Sequence, residues 1–316
     1  MTHLDDATIL DLLDLPSVTD RLAGAYAAWG RHAAATTQRV RASTGAAMAS
    51  AMAAVVPPFA GGKVYATVAG RFTFVIVLFD TDGRFLCTLD GDAVTRYRTP
   101  ATSALAIRHL AAPGASVAAL VGSGRQAWLH LAMLRDELPD LTEVRVHARS
   151  PAAADDLAKQ AVDAGIPAVS APTAAAAVHG ADVVITVTAS PSPLFPAEAL
   201  GDGTLICAVG ATKADRAELG PDVVERCAAV VADDVVGSRT ECGDLVQAAA
   251  AGRFDWDRAV ELADVVAGAV TVPRAAERGP VLFETQGVAL QDIAAAGLAW
   301  QRYRPTTDPS AKEIPS

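Results

Sequence analysis

The chain has 316 residues, a formal net charge of −10 and 51% hydrophobic residues, enough for about two domains with substantial cores and a poor match to non-specific nucleic-acid binding. No apolar run reaches the roughly 18–20 residues that cross a bilayer, and the polar start Met1-Thr-His-Leu-Asp-Asp6 does not read as a signal peptide. Cys87, Cys207, Cys227 and Cys242 lack C-x-x-C spacing, so the expectation is a cytoplasmic protein with free thiols, no metal site, and neither membrane nor nucleic-acid partners.

In chain order, Asp5 or Asp6 is placed to cap a first helix that buries Ile9, Leu10, Leu12 and Leu13. Ser17 is placed to cap a second helix over about 18–32. Residues 36–43 are β-like and carry Arg39 and Arg41, of which Arg39 reads as a surface charge. An alanine-rich stretch then runs to Pro57 and Pro58, and 63–68 is a strand candidate. Residues 72–80 and 84–90, joined by Thr81-Asp-Gly83, predict a hairpin. Thr95-Arg-Tyr-Arg-Thr-Pro100 precedes a helix expected over about 101–110. The first 110 residues thus predict an α+β unit with an antiparallel sheet. Ala112-Pro-Gly114 breaks the chain and marks a domain boundary.

Beyond that break, strands are expected at 116–121, 143–147, 183–187, 204–209 and 228–232, and helices at 125–137, 151–164, 173–179, 214–226 and 239–251. Such alternation predicts a doubly wound parallel α/β sheet. Its first strand ends at Gly122-Ser-Gly-Arg-Gln-Ala127, a G-x-G-x-x-A turn between strand and helix. Gly122 allows the tight turn, Gly124 a close approach of backbone to a pyrophosphate, and Ala127 tight helix packing. The second strand ends in Ala148 where an NAD-specific fold carries an acidic residue, and Arg149 and Ser150 follow. These two can take a 2′-phosphate, which favours NADPH over NADH. The six histidines show no ligand spacing, with His130 read as a packing residue. Asp233-Asp234 reads as a solvated turn and Cys207 as core. From Phe283 the pattern changes to Glu-Thr-Gln-Gly-Val-Ala-Leu-Gln-Asp292 and a helix to about Tyr303, and the polar tail 305–316 is expected to be mobile.

Several segments together resemble the ornithine cyclodeaminase/mu-crystallin family. They are Gln38-Arg-Val-Arg41, Lys63, Leu78-Phe-Asp80, Leu89-Asp-Gly91, Thr95 with Arg98-Thr99, the Gly122–Ala127 fingerprint, Ala181 to Thr188, Ala208-Val-Gly210, Glu241-Cys-Gly-Asp244 and Gln286 to Asp292. The resemblance runs over roughly 36–300. It implies a homodimer with a Rossmann domain (113–289) and a substrate-binding and dimerisation domain built from 1–112 and 290–316. It also implies hydride transfer with a nicotinamide at an amino-bearing carbon.

Residue by residue, the resemblance assigns Arg41, Lys63 and Arg98 to the substrate carboxylate. An arginine fork holds a carboxylate bidentately, and a lysine adds a movable charge and proton; Lys63 and Arg98 are the catalytic candidates. Thr99, Gly122, Gly124, Arg125 and Gln126 match cofactor-phosphate contacts. Thr188 and Val209 fall at strand ends facing the cofactor cleft, and Thr285 replaces a serine near the nicotinamide amide. Departures matter. Thr212 stands where true cyclodeaminases carry an aspartate, and Ala54 where they carry a glutamate, so nothing at either position recognises a second amine. Thr212, a substrate-side candidate, fits the ketimine reductases of the family. Glu284 stands where a lysine is usual, with no role assigned. The resulting expectation is NAD(P)H-dependent reduction of a small or cyclic 2-imino acid. An alanine-type amino-acid dehydrogenase, an ornithine or lysine cyclodeaminase, and a non-catalytic cofactor-binding protein are the alternatives.

Overall fold

The computed structural model describes residues 2–275 and 279–303; the tail from Pro305 lies outside them. The chain opens with β1 (His3–Leu4), α1 (Asp6–Leu12) and α2 (Leu15–Gly30). Asp5 caps α1 by accepting the Thr8 amide at 2.9 Å. Of the four apolar residues expected inside, Ile9 and Leu13 are buried while Leu10 is exposed, because only i and i+4 share the buried stripe. The cap of α2 is Asp14 rather than Ser17: its carboxylate accepts the Ser17 amide at 2.8 Å. Pro16 fits the first turn, where no amide donor is needed.

Then follow β2 (Ala35–Thr36), β3 (Val40–Ser43), β4 (Ala47–Val56), β5 (Phe59–Val68), β6 (Arg71–Asp80), β7 (Phe85–Asp90) and α3 (Gly91–Leu110). The strands form one sheet in the order β1-β7-β6-β5-β4-β2, with β3 also paired to β4. Only β1 runs parallel to its neighbour. The alanine-rich segment is a strand despite alanine's helix preference, because Ser50, Met52, Ala54 and Val56 alternate inward. Its other face stays open. Val40, Ala51, Val64 and Val75 form one row across four strands, and Val40, Val55, Val64, Val68 and Val75 are all exposed.

The helix expected over 101–110 is ten residues longer. It begins at Gly91 and carries Pro100 in its interior. Proline removes one backbone donor, and hydroxyls reinforce the same stretch: Thr95, Thr99 and Thr102 donate to the carbonyls of Gly91, Thr95 and Arg98 at 2.5, 2.8 and 2.8 Å. Arg98 and Thr99 are therefore mid-helix residues, not loop residues.

The second sheet contains β8 (Val117–Val121), β9 (Glu143–His147), β10 (Ala168–Ser170), β11 (Val183–Thr186), β12 (Leu205–Ala208), β13 (Ala229–Ala232), β14 (Ala259–Glu261) and β15 (Val281–Glu284). All pairs are parallel, in the order β10-β9-β8-β11-β12-β15-β13-β14. The order reverses at β8, which places a ligand crevice at its carboxyl end. Between the strands lie α4 (Ala127–Glu137), α5 (Pro151–Asp163), α6 (Ala174–Val178), α7 (Pro221–Arg226), α8 (Val235–Glu241), α9 (Gly243–Ala250) and α10 (Leu262–Val266). Last comes α11 (Ala289–Tyr303), which packs on α2, α3, β4 and β5 of the first sheet's layer.

Two expected helices differ. The one expected over 214–226 begins only at Pro221, and the one over 239–251 is split into α8 and α9 at Cys242. Strands β10, β14 and β15 are additional to that expectation; β10 and β14 have only three residues each, too few to carry a period. Among the described residues no helix is long and apolar enough to cross a membrane.

His130 on α4 is fully buried, its Nδ1 2.8 Å from the Gln126 carbonyl and its Nε2 3.2 Å from Ser103 Oγ. Burial pushes its pKa down to about 4. The folded state keeps it neutral while the unfolded chain takes a proton below about 6.5, so stability is lost as pH falls between those values. Urea titrations at pH 7 and pH 4 should show the native chain losing up to about 3 kcal/mol more than His130→Gln.

Candidate active site

The buried strand β8 ends at Gly122, whose φ is +126° and whose amide donates to the His147 carbonyl at 2.8 Å. A Cβ there would meet the Val187 carbonyl at 2.8 Å, so both conformation and space demand glycine. Gly124 is the opposite case: an added Cβ would have nothing within 4 Å. Behind it α4 starts with no side-chain cap on its first amides. A free helix start beside an open glycine backbone fits the pyrophosphate of a dinucleotide.

Around this turn stand the other cofactor candidates. Gln126 Nε2 donates to the Thr95 carbonyl at 3.3 Å, tying the turn to α3. Arg125 is exposed and ion-paired with Asp92, and the Thr99 hydroxyl is spent inside α3. Thr188 gives both amide and hydroxyl to Glu218 Oε1 at 2.6 Å. Val209 lies half-buried just after β12. Ala148 is buried at the end of β9, Arg149 is exposed, and Ser150 caps α5 through the Ala153 amide at 3.4 Å. The Thr285 hydroxyl donates to Asp233 Oδ2 at 2.6 Å.

Where β5, α3 and α11 meet, charged groups cluster. Lys63 is 2% exposed; its Nζ donates to Thr95 Oγ1 at 2.6 Å and to Asp292 Oδ1 at 2.9 Å, and lies 4.6 Å from the Phe74 ring centroid. Arg98 Nε is 3.6 Å from the same Asp292 oxygen, and Arg98 Nη1 donates to Gln291 Oε1 at 2.7 Å. Burial, with Arg98 and Arg39 adding to it against Asp292, brings the Lys63 pKa down to about 8. The guanidinium of Arg98 lies over Gly287, where a Cβ would sit 2.5 Å from Nη1.

The segment beneath is organised by Asp233. Its carboxylate accepts from the Thr285 hydroxyl, the Gly287 amide at 2.7 Å, the Gln286 amide at 3.2 Å and Gln291 Nε2 at 3.2 Å. Asp233 is fully buried, not a solvated turn. Burial raises its pKa while these bonds oppose the rise. Neither Asp233, Gln291 nor Asp292 received a role from sequence reasoning. The signal for the last two was the polar pair Gln291-Asp292 inside a helix otherwise buried from Ala289 to Gly297.

A narrow cleft opens beside this segment, lined among others by Arg39, Met52, Ser238 and Glu241. Arg39 is not a surface charge: its side chain is 7% exposed, it is ion-paired with Glu241, and its Nη2 donates to the carbonyls of Gln286 and Gly287 at 3.1 and 2.6 Å. Arg41 pairs with the other oxygen of Glu241 but is 32% exposed and does not line the cleft. Of the two arginines, Arg39 is the one beside Gly287 and hence beside Arg98.

The departures also find places. Thr212 lies in the turn after β12, its amide donating to the Gly210 carbonyl at 2.9 Å; Ala54 is buried on the inner face of β4. Glu284 is fully buried at the end of β15, where Gln286 Nε2 donates to its Oε2 at 3.4 Å. Burial and the neighbouring carboxylates of Asp244 and Glu218 push its carboxyl well up, which favours the neutral acid.

A dinucleotide cradle at a sheet switch point, opposite buried cationic groups, defines a nicotinamide-dependent α/β oxidoreductase. The family model described as "Ornithine cyclodeaminase/mu-crystallin family" matches residues 61–306. Delta(1)-pyrroline-2-carboxylate reductase 2 of Burkholderia ambifaria is 38% identical over 220 residues, covering 69% of this chain and 66% of that protein. The crystal structure of a probable ornithine cyclodeaminase from Bordetella pertussis superimposes with a TM-score of 0.88 at 38% identity over 96% of each chain. An archaeal alanine dehydrogenase dimer with bound NAD gives 0.89 at 25% identity over 95% of each. The chain belongs to the ornithine cyclodeaminase/mu-crystallin family.

Gly122→Ala should cost roughly 1–3 kcal/mol in backbone strain. It is expected to lower the thermal midpoint and weaken NAD(H) binding about tenfold or more, read by melting curves and by quenching of tryptophan fluorescence.

Proposed function

We propose that the chain reduces a small or cyclic 2-imino acid to the L-amino acid, within the reductase branch of its family. The observation that carries this reading is the buried Lys63, Arg98 and Asp292 cluster opposite the dinucleotide cradle, with no carboxylate at Ala54 or Thr212 to serve a second amine. Arg98, with Arg39 in place of Arg41, holds the substrate carboxylate and so fixes the α-carbon. Lys63 carries the proton at the imine nitrogen, its ammonium titrating near neutral pH as an acid of this kind requires. The bound nicotinamide supplies the hydride for the C=N carbon. The C=N π bond is replaced by one new C–H and one new N–H bond, and Lys63 recovers its proton from solvent.

NADPH is the proposed donor in preference to NADH. Supporting it are the missing acid at Ala148 and an Arg149 that is exposed and has no ion pair among the described residues. The homodimer is proposed to form through the open face of the first sheet, where Val40, Ala51, Val64 and Val75 make a continuous row and the valines are exposed. The domains are proposed as 1–112 with 290–316, and 113–289. Four free, buried cysteines fit a reducing cytoplasm.

Purified protein with NADPH should consume pyrroline-2-carboxylate or piperideine-2-carboxylate, read as loss of absorbance at the reduced-nicotinamide band. Losing one charge-assisted arginine contact is worth about 1.5–3 kcal/mol. Arg98→Ala and Arg39→Ala are therefore expected to lower kcat/KM at least tenfold, and Arg41→Ala much less. No turnover of any imine with either cofactor would sink the reading, and ammonia release from ornithine without cofactor reduction would replace it with a cyclodeaminase. Arg149→Ala should raise the KM for NADPH and leave that for NADH alone.

A further inference from the structure

We propose that Asp292 is the positioning residue of Lys63: it keeps the lysine charged inside the protein and aims the one N–H that the fold leaves free. Three observations carry this. The first is the hydrogen-bond arithmetic at Nζ. The Thr95 hydroxyl donates its own hydrogen to the Gly91 carbonyl at 2.5 Å, so toward Lys63 it can only accept. Thr95 and Asp292 together take two of the three ammonium N–H groups, and the third alone remains for an imine nitrogen.

The second is the inventory of charge. The groups facing Lys63 are Asp292 from α11, Arg98 from α3 and Arg39 from the segment before β3. Two of the three are cations. With Lys63 2% exposed, burial and both arginines favour the neutral amine, and Asp292 is the one group that opposes them. The third is the environment of Asp292 itself. It is fully buried, and among the described residues no backbone amide donates to it and its Oδ2 has no hydrogen-bond partner. Among the described residues its ion-pair partners are Lys63 and Arg98, so the carboxylate and the ammonium stabilise each other reciprocally.

This role deepens the proposed reduction and rests on it for the kinetic measurement; the labelling measurement does not. The pH dependence of acetylation by acetic anhydride, followed by mass spectrometry of the peptide containing Lys63, reports the titration of that amine. Exposed Lys213 in the same chain is the internal reference. In the native enzyme the Lys63 midpoint should lie near 8. A native midpoint below 7 would leave the lysine neutral at working pH and overturn the proposal without any variant.

Asp292→Asn should move the midpoint down by at least one unit. With an imine substrate, the alkaline fall of its kcat/KM should shift down equally. That gives at least a tenfold deficit at pH 9, shrinking toward the native value at pH 6, with the KM for the cofactor unchanged. A uniform loss at all pH values with an unmoved midpoint would reduce Asp292 to a structural role. If Asp292→Asn does not fold, Asp292→Glu keeps the charge one methylene away. Its midpoint should stay within half a unit of the native one while kcat falls, and a drop of a full unit would overturn the proposal. A shifted midpoint in a protein that reduces no imine would uphold the lysine–aspartate assignment and refute the reductase reading.

Discussion

The geometry of the site depends on one carboxylate that touches none of the basic residues it organises. Asp233, at the end of β13, gathers the Thr285 hydroxyl, two successive backbone amides and the Gln291 amide. A buried charge is tolerated only when hydrogen bonds replace its water, and here the replacement comes from one short stretch between β15 and α11. That stretch is thereby pinned to the parallel sheet at one end, while α11 packs on the antiparallel sheet at the other. Arg39 rests on its carbonyls and Arg98 lies across its glycine. The two lobes of the protein are thus indexed to each other at the place where substrate and cofactor must meet.

Thr95 concentrates a second set of constraints. Its hydroxyl receives Lys63, its carbonyl receives Thr99 and Gln126, and Gln126 belongs to the glycine turn. One residue of α3 therefore links the lysine to the cofactor cradle, and the long helix makes that link rigid. Pro100 does not interrupt it, because the neighbouring hydroxyls bond along the helix.

What could be read from the sequence followed the range of the forces involved. The G-x-G turn is set by local backbone geometry, so Gly122 and Gly124 announce themselves. Five of the parallel strands are legible as apolar runs; β10 and β14 have only three residues each, and β15, as long as β11, runs directly into the polar Glu284-Thr-Gln stretch that hides it. The alanine-rich β4 shows period-two burial that alanine's helix preference conceals. Lys63 and Arg98 were reached through resemblance rather than through pattern. Arg39 reads as a surface charge because its burial comes from carbonyls some 250 residues away, for which nothing nearby is a sign. Gln291 and Asp292 did leave a trace, as polar residues in a helix that is otherwise wholly buried. Glu284 is anomalous in the sequence because the neighbours that favour its neutral form, Asp244 and Glu218, come from distant segments.

The position of β15 has a consequence for how the chain is made. Among the described residues it is the last strand in sequence, yet it lies between β12 and β13 in the interior of the sheet. During synthesis from the N-terminus, β13 and β14 emerge before the strand that connects them to the rest, and they have no native edge to join until residue 284 is available. Sheet completion is therefore a late, long-range event that must coincide with the docking of α11. A chain cut short of β15 would lose more than its end: its sheet would remain in two unjoined pieces.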